Sequence, residues 1–380
     1  MSLDSQRRKT VTVALLGSRG IPARYGGFET VVEELVNHLP KDRFCIYVAC
    51  ESSMRGLGSS PSGVRTLYFP VIEKLRVISE VAYDALSLSW SAFASLDVVL
   101  LFGYAASPFC LLPRFLGKTV LVNVDGLEWK RRKFPKFVRW ALKIAEAIAA
   151  SAATLLVCDS RAIAAYYLQR YGADSVYIPN PGRPCVTENS ESLREFGLQR
   201  GGYYSVVARL EPENNLHVII EGFKNSGSRR KLVIVGPLYA NTYVKSLLQM
   251  RNERVIFLGG VYDRRKLGTI RKNSYAYIHG QEVGGTSPSL LESMACGIPI
   301  LSLDVPFNRE VANDSALYFA NARELAERIA TLEGDEATTR SMGKRALKIA
   351  QQEYSVSLVV SKYAELLSHS EKRITADHEF

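Results

Sequence analysis

Apolar and polar positions alternate along the chain as short apolar runs separated by longer amphipathic segments. The apolar runs, such as residues 11–17 and 275–278, have the length of buried parallel strands. The amphipathic segments, such as residues 28–38 and 135–152, have the length and spacing of helices. Strands that alternate with helices in this way predict an α/β fold built on doubly wound parallel sheets.

The alternation is interrupted once. Residues 179–184 are rich in proline, and a polar stretch continues to Gly202 before the alternation resumes. We therefore expect an N-terminal Rossmann-like domain over residues 1–180, a C-terminal Rossmann-like domain over residues 201–353, and a final segment over residues 354–380. Two such domains would enclose a central cleft lined by the C-terminal ends of their strands, where these sheets bind ligands.

A glycine-containing loop stands between the apolar run at 275–278 and an amphipathic segment at 289–295. It offers backbone N–H groups and two hydroxyls at a helix start, from Gly284, Gly285, Thr286 and Ser287. Such N–H groups lack partners and carry partial positive charge, which favours a bound phosphate. Glu292 lies about one turn inside the helix, where its carboxylate can accept hydrogen bonds from sugar hydroxyls. A phosphate site beside a sugar site predicts a nucleotide-sugar ligand.

The first loop of the chain, residues 17–30, carries the candidate acceptor contacts. These are Arg24, Tyr25, Gly26 and Gly27. The glycines would allow close approach to a phosphate or an acceptor sugar, because loops at the C-terminal ends of strands line the cleft in this architecture. The alternative is that they only permit tight turns. The loop lacks the G-x-G-x-x-G spacing of a dinucleotide site.

Two further residues stand at the ends of predicted strands. Asp125 follows the apolar run at 119–124 and precedes a glycine, so we expect its carboxylate to face the cleft and contact the acceptor hydroxyl. Glu128 is the nearest competitor for that role, and helix capping is the alternative for Asp125. Arg209 leaves the first strand of the C-terminal domain and can reach a diphosphate, although a solvated surface arginine is the alternative.

The net charge of +10 predicts anionic partners. Basic residues gather among aromatic ones at 130–143, a run that begins at Lys130 and ends at Lys143. Such a segment can bind an anionic membrane surface, and the alternative is a packed helix with solvated charges. Because the charge is concentrated in one run without a recognised binding module, nucleic acid is not the expected partner.

The composition also limits the classes of protein that the chain can represent. Its 380 residues can form two cores of ordinary domain size. No stretch has the ~20 nearly uninterrupted apolar residues of a spanning helix, no secretory signal opens the chain, and the six cysteines show no metal spacing. We therefore expect a cytoplasmic protein with no bound metal and no cofactor.

Four motifs, at residues 17–30, 123–131, 208–215 and 284–292, resemble those of the bacterial rhamnosyltransferase-type branch of glycosyltransferase family 4. They occur in the expected order and span most of the chain. The resemblance implies a GT-B fold, in which two Rossmann-like domains face a central cleft and the C-terminal helix crosses back to the N-terminal domain. It also implies metal-independent, retaining transfer of a hexose from a nucleotide-diphospho-sugar.

The same resemblance implies roles for the site residues. Arg209 would neutralise the leaving diphosphate and Glu292 would bind the nucleotide ribose. The donor would be dTDP-rhamnose, supplying L-rhamnose to an undecaprenyl-diphosphate-linked saccharide during capsule or O-antigen synthesis. The enzyme would then lie peripherally on the inner face of the cell membrane. The alternatives are a nucleotide-sugar epimerase of similar architecture and a catalytically silent component of an assembly complex.

The chain departs from the family pattern at two donor-site positions. Asn214 stands where a phosphate-binding lysine is expected, and Gly284 stands where the first of two glutamates is expected. Glu282, two residues earlier, is the candidate substitute for that glutamate. Arg209 must then supply more of the charge that faces the diphosphate. The candidates for additional charge are Arg264, Arg265 and Lys266.

Overall fold

The computed structural model describes residues 10–23, 26–57, 61–71 and 76–377, and contains two parallel sheets. The N-terminal strands are β1 (Val11–Leu16), β2 (Phe44–Glu51), β3 (Val64–Phe69), β4 (Val98–Phe102), β5 (Thr119–Asn123), β6 (Leu155–Cys158) and β7 (Ser175–Tyr177). Their order is β3-β2-β1-β4-β5-β6-β7, so the order changes direction between β1 and β4. Every residue of β4 is buried, as expected for a strand covered on both faces.

The helices of the N-terminal domain cover both faces of this sheet. They are α1 (Gly27–His38), α2 (Arg76–Phe93), α3 (Leu111–Phe115), α4 (Lys136–Ala152) and α5 (Arg161–Tyr171). Alternate residues of β4 point into two separate cores, one shared with α1 and the other with α2, α4 and α5.

The C-terminal sheet repeats this plan with six strands. They are β8 (Tyr203–Val207), β9 (Lys231–Val235), β10 (Val255–Gly259), β11 (Ala276–His279), β12 (Ile300–Leu303) and β13 (Ala316–Phe319). Their order is β10-β9-β8-β11-β12-β13. The helices are α6 (Leu216–Asn225), α7 (Thr242–Gln249), α8 (Arg264–Lys272), α9 (Pro288–Ala295), α10 (Pro306–Ala312), α11 (Ala322–Gly334) and α12 (Glu336–Glu353). The two parallel α/β sheets confirm the fold class that the sequence predicts.

The last helix, α13 (Val356–Asp377), returns to the N-terminal domain. Val359, Tyr363 and Leu367 belong to the same core as α1 and β1. The return begins beside the first crossing of the chain, where the N–H of Gly182 donates to the carbonyl of Tyr354 at 2.7 Å. No helix in the described part of the chain is both long enough and apolar enough to span a bilayer.

The polar stretch that the sequence predicts as a linker contains structure of its own. Residues Ser190–Phe196 form 3-10 turns that begin at the Asn189 side chain and end at Gly197, which has φ 63°. Leu193 and Leu198 are buried against β8 and α8. This segment therefore packs on the C-terminal domain, because its two leucines supply an apolar anchor within a polar sequence.

Candidate active site

Loops from the two domains meet in one gap at the C-terminal ends of their strands. A Cβ atom added to Gly126 would lie 2.3 Å from the Cα of Gly284, and one added to Gly27 would lie 3.5 Å from the Cγ of Pro288. The loop after β5, the start of α1 and the loop before α9 are therefore in direct contact. The structure brings together the loops that the sequence assigned to acceptor and donor.

Asp125 is held in this gap by the C-terminal helix. Its φ of 50° lies in the left-handed region, and its N–H donates to Oδ1 of Asn123 at 3.1 Å. The Asn123 amide in turn donates to the hydroxyl of Tyr363 at 2.9 Å. Burial and the charge of Glu128 raise the pKa of Asp125 to about 6, although Arg131 and Arg209 oppose the shift. A carboxyl group with this pKa can accept a proton near neutral pH.

The carboxylate of Glu128 forms an ion pair with Arg131. Its Oε1 accepts from Nε of Arg131 at 2.6 Å. The buried Arg131 guanidinium also lies 3.9 Å from the carboxylate of Glu213, which is fully buried. The Asp125 carboxylate accepts from the backbone N–H of Gly126, and among the described residues no cation forms an ion pair with it. The geometry therefore favours Asp125 over Glu128 for contact with an acceptor.

Asp159, which the sequence analysis did not select, binds the donor loop from the N-terminal domain. Its Oδ2 accepts the Thr286 N–H at 2.9 Å and the Asn180 amide at 3.1 Å, and its carbonyl accepts the Thr286 hydroxyl. Burial and the neighbouring Asp125 raise the pKa of Asp159 well above its ordinary value. A Cβ on Gly285 would lie 1.8 Å from Oδ1 of Asp159, so this contact requires glycine. In this arrangement the Thr286 N–H is already engaged.

The position of Asp159 in the sequence could have identified it as a site residue. It directly follows β6, just as Asp125 follows β5 after one intervening residue. Acidic residues at the C-terminal ends of neighbouring parallel strands face the same edge of a sheet. The same rule that selected Asp125 would have selected Asp159.

Arg209 lies beside two charged residues from opposite sides of the cleft. Its Nε is 3.7 Å from Oε2 of Glu211, and Nζ of Lys133 is 3.4 Å from the same oxygen. Asn214 does not extend into the gap, because its amide donates to the Arg209 carbonyl at 2.7 Å. Asn214 therefore positions the Arg209 loop.

The structure divides the basic run that the sequence assigned to a membrane surface. Three consecutive cations face acidic residues of the C-terminal domain across the cleft. The pairs are Arg131 with Glu213 at 3.9 Å, Arg132 with Glu282 at 2.6 Å, and Lys133 with Glu211 at 3.2 Å. From the start of α4 the run turns outward, and Phe137 and Trp140 are 73% and 69% exposed. Charge composition alone cannot separate these two environments.

Glu292 points from α9 towards a buried cation. Its Oε2 accepts from Nη1 of Arg271 at 2.6 Å, and Nη2 of the same arginine donates to Ser289 at 3.3 Å. Oε1 of Glu292 accepts no hydrogen bond among the described residues. His279, at the end of β11, was not among the candidate site residues chosen from the sequence. Burial lowers the pKa of His279 to about 3, so its imidazole is neutral at physiological pH.

Arg24 and Tyr25 lie outside the described residues. Gly26 has φ 156°, a backbone conformation that L side chains rarely adopt, so glycine is favoured there whatever the loop binds. Gly27 begins α1. Among the described residues, no group of three or more His, Cys, Asp or Glu side chains is arranged to hold a metal ion.

Two family models match successive parts of the chain. Residues 10–180 match the family described as "Domain of unknown function (DUF1972)", and residues 193–349 match "Glycosyl transferases group 1". No curated protein sequence matches the chain significantly.

Solved structures of glycosyltransferases share the fold at low sequence identity. Sucrose-phosphate synthase from Thermosynechococcus elongatus has a TM-score of 0.79 at 14% identity, covering 94% of this chain and 98% of that one. Anabaena Alr3699/HepE in complex with UDP and glucose has a TM-score of 0.73 at 19% identity, covering 94% and 100%. The pneumococcal O-GlcNAc transferase GtfA, in complex with UDP and GlcNAc, has a TM-score of 0.60 at 12% identity, covering 77% and 60%. The chain thus has the GT-B fold, and its residues 193–349 form a domain of the glycosyl transferases group 1 family.

Proposed function

We propose that the protein is a retaining glycosyltransferase that moves a sugar from a nucleotide-diphospho-sugar to an acceptor held in the cleft. The observation that carries this proposal is the meeting of the Asp125 loop with the donor loop of a glycosyl transferases group 1 domain. The similarly folded HepE was solved with UDP-glucose, which supports a nucleotide-sugar donor.

The chemistry follows from the charges around the gap. The bond between the anomeric carbon and the diphosphate breaks, and its electron pair stays on the diphosphate. Arg209 stabilises this charge, which develops in the transition state. The acceptor oxygen bonds to the same face of the anomeric carbon, while its proton passes to the Asp125 carboxylate, whose pKa of about 6 suits this role. The unengaged Oε1 of Glu292 accepts from the nucleotide ribose. Glu282 and the loop at 284–287 hold the donor through Gly284, Gly285 and Ser287, because the N–H and the hydroxyl of Thr286 are engaged by Asp159.

The donor sugar and acceptor follow from the motif resemblance. The sugar is L-rhamnose from dTDP-rhamnose, and the acceptor is an undecaprenyl-diphosphate-linked saccharide in cell-surface polysaccharide synthesis. In this proposal Gly26, Gly27 and Asp125 contact the acceptor from the N-terminal domain. A lipid-linked acceptor requires that the cleft lie close to a membrane.

The outward half of the basic run, residues 136–143, can bind an anionic membrane and so hold the cleft close to it. Phe137 and Trp140 project from α4 among Lys136 and Lys143, and Phe115 of α3 is 82% exposed on the same face of the sheet. Each cation contributes about 1 kcal/mol near an anionic surface, and the aromatic rings add apolar burial. The protein then binds peripherally to the cytoplasmic face of the cell membrane.

Vesicle binding tests the membrane surface separately from catalysis. Replacing Phe137 and Trp140 with serine should reduce co-sedimentation with vesicles that contain phosphatidylglycerol. Replacing the exposed Leu248 of α7 with serine is the control and should leave binding unchanged. Equal binding of both variants would refute this surface.

Transfer assays test the function itself. Purified protein is given dTDP-rhamnose or a UDP-sugar, with and without lipid-linked acceptor, and released nucleotide and sugar products are measured. Arg209→Ala and Glu292→Ala should each lose most activity, whereas Lys344→Ala, on the exposed face of α12, should not. Full turnover in both site variants would refute the assignment, and epimerised donor without transfer would indicate an epimerase instead.

A further inference from the structure

We propose that Lys133, contributed by the N-terminal domain, is the second cation that binds the donor diphosphate, together with Arg209. This inference rests on the proposed function and deepens it. It means that the donor is held by both domains, and that a charge missing from the C-terminal domain is supplied across the cleft.

The C-terminal domain offers few other cations for this purpose. Asn214 is neutral and its amide is used by the Arg209 carbonyl. Lys266, which the sequence suggested as an additional cation, donates to Glu195 at 2.7 Å. Arg271 is committed to Glu292 behind the donor loop. Arg264 and Arg265, the other two candidates, are exposed at the start of α8. The leaving diphosphate carries more charge than the Arg209 guanidinium alone can balance.

Lys133 and Arg209 converge on one carboxylate. Nζ of Lys133 lies 3.2 and 3.4 Å from the two oxygens of Glu211, and Nε of Arg209 lies 3.7 Å from the second. Burial and the charge of Arg209 lower the pKa of Lys133. Burial raises the pKa of Glu211, but Arg209 and Lys133 outweigh this effect and lower it. Glu211 lies between these two cations, and in this proposal the donor diphosphate competes with its carboxylate for them.

The backbone that carries Lys133 is held in place by the ion pairs of Arg131. Arg131 is buried between Glu128 of its own domain and Glu213 of the other, at 2.6 and 3.9 Å. Lys133 follows two residues later, with its side chain only 27% exposed and its ammonium 5.1 Å from the ring centre of Phe134. The ammonium thus lies at Glu211 in the cleft, and in this proposal it moves from Glu211 to a phosphate of the donor.

Binding measurements with nucleotides test the role of Lys133. Calorimetry compares UDP and dTDP with the corresponding monophosphates in four proteins: wild type, Lys133→Ala, Glu211→Gln and Lys344→Ala. Loss of a charge-assisted contact should weaken diphosphate binding by Lys133→Ala about 10- to 100-fold and change monophosphate binding far less. Lys344→Ala removes one exposed cation elsewhere and should bind like wild type.

Diphosphate binding by Glu211→Gln shows whether Lys133 contacts the phosphate or only forms a structural ion pair with Glu211. If Lys133 binds the diphosphate, removing the competing carboxylate should leave binding unchanged or make it tighter. If Lys133 acts only by pairing with Glu211 to close the domains, Glu211→Gln should weaken binding as much as Lys133→Ala does, which would overturn the inference. Unchanged diphosphate binding by Lys133→Ala would overturn it as well.

A compensating substitution provides a second arm. Asn214→Lys in the Lys133→Ala background returns a cation to the Arg209 loop, and recovery of diphosphate affinity in this double variant would support the inference. If wild type binds neither diphosphate, the proposed function fails first. If the wild type binds a diphosphate and Lys133→Ala binds it with the same affinity, the inference fails but the proposed function stands.

Discussion

Gly126→Ala is a direct test of the contact between the two domains. Gly126 does not have φ in the left-handed region, so alanine fits its own backbone. The added Cβ, however, would lie 2.3 Å from the Cα of Gly284 and 2.8 Å from its carbonyl carbon. Carbon atoms in contact normally stay about 3.5–4.0 Å apart, so the two loops must separate by about 1 Å or more. Backbone atoms cannot rotate away as a flexible side chain can.

The size of the effect follows from the cost of overpacking. An added methyl group in a closely packed site costs about 1–3 kcal/mol, and here opening of the cleft relieves that cost. The closed arrangement should then lose about 5- to 140-fold in population relative to the open one, since each 1.4 kcal/mol is a factor of ten. Turnover with the donor should fall by a similar factor, because ligand binds in proportion to the competent fraction.

Three measurements on the same variant distinguish opening from misfolding. Initial rates of transfer should fall, and the radius of gyration from X-ray scattering should increase. The melting temperature should change by no more than a few degrees, because Gly126 is not part of either N-terminal core. Gly334→Ala is the matched control, since its Cβ would meet no atom within 4 Å. Wild-type turnover and scattering by Gly126→Ala would refute the close approach of these loops in the active state.

Three further predictions concern the surroundings of the gap. Arg271→Ala should lower the free energy of unfolding by about 3 kcal/mol in urea titrations, because Glu292 is left beside a buried site without its cation; a loss below about 1 kcal/mol would contradict this. Tyr363→Phe should cost about 1 kcal/mol in the same assay, because the Asn123 amide loses its acceptor; unchanged stability would show that water replaces the hydroxyl. The pKa of Asp125 is raised to about 6, so the folded protein holds this proton more tightly than the unfolded chain. Its contribution to stability should therefore fall as the pH rises from about 4 to about 6, and Asp125→Asn should remove that part of the pH dependence of melting; an identical profile in both proteins would contradict the shift.

The strands were largely predictable because burial imposes a simple pattern on them. A parallel strand covered on both faces must be a short apolar run, and β4 (Val98–Phe102) fits that description at every position. The strand β13 (Ala316–Phe319) is harder to recognise in the sequence, because it has four residues and its middle two are only partly buried. It also lies at the edge of the sheet, where one neighbouring strand is missing.

The site was predictable only in part. Asp125 and the loop at 284–287 could be assigned to a common gap, because the C-terminal ends of parallel strands face the same edge. Their partners could not be assigned. Lys133 pairs with a carboxylate 78 positions away, and Asp159 accepts from Thr286 across 127 positions. Such pairs depend on how the two domains face each other, which hydrophobic periodicity does not specify.

The return of α13 has a consequence for how the polypeptide matures. A chain emerging from the ribosome produces the whole N-terminal sheet first, yet Val359, Tyr363 and Leu367 fill the core beneath α1. Domains generally fold in the order of their synthesis, but here the N-terminal domain must wait for α13 before its apolar interior is closed. Nascent chains that stall before residue 356 should therefore engage chaperones through an open face of the N-terminal domain. Expression of that half alone should yield aggregates, whereas supplying α13 as a separate peptide should restore its solubility.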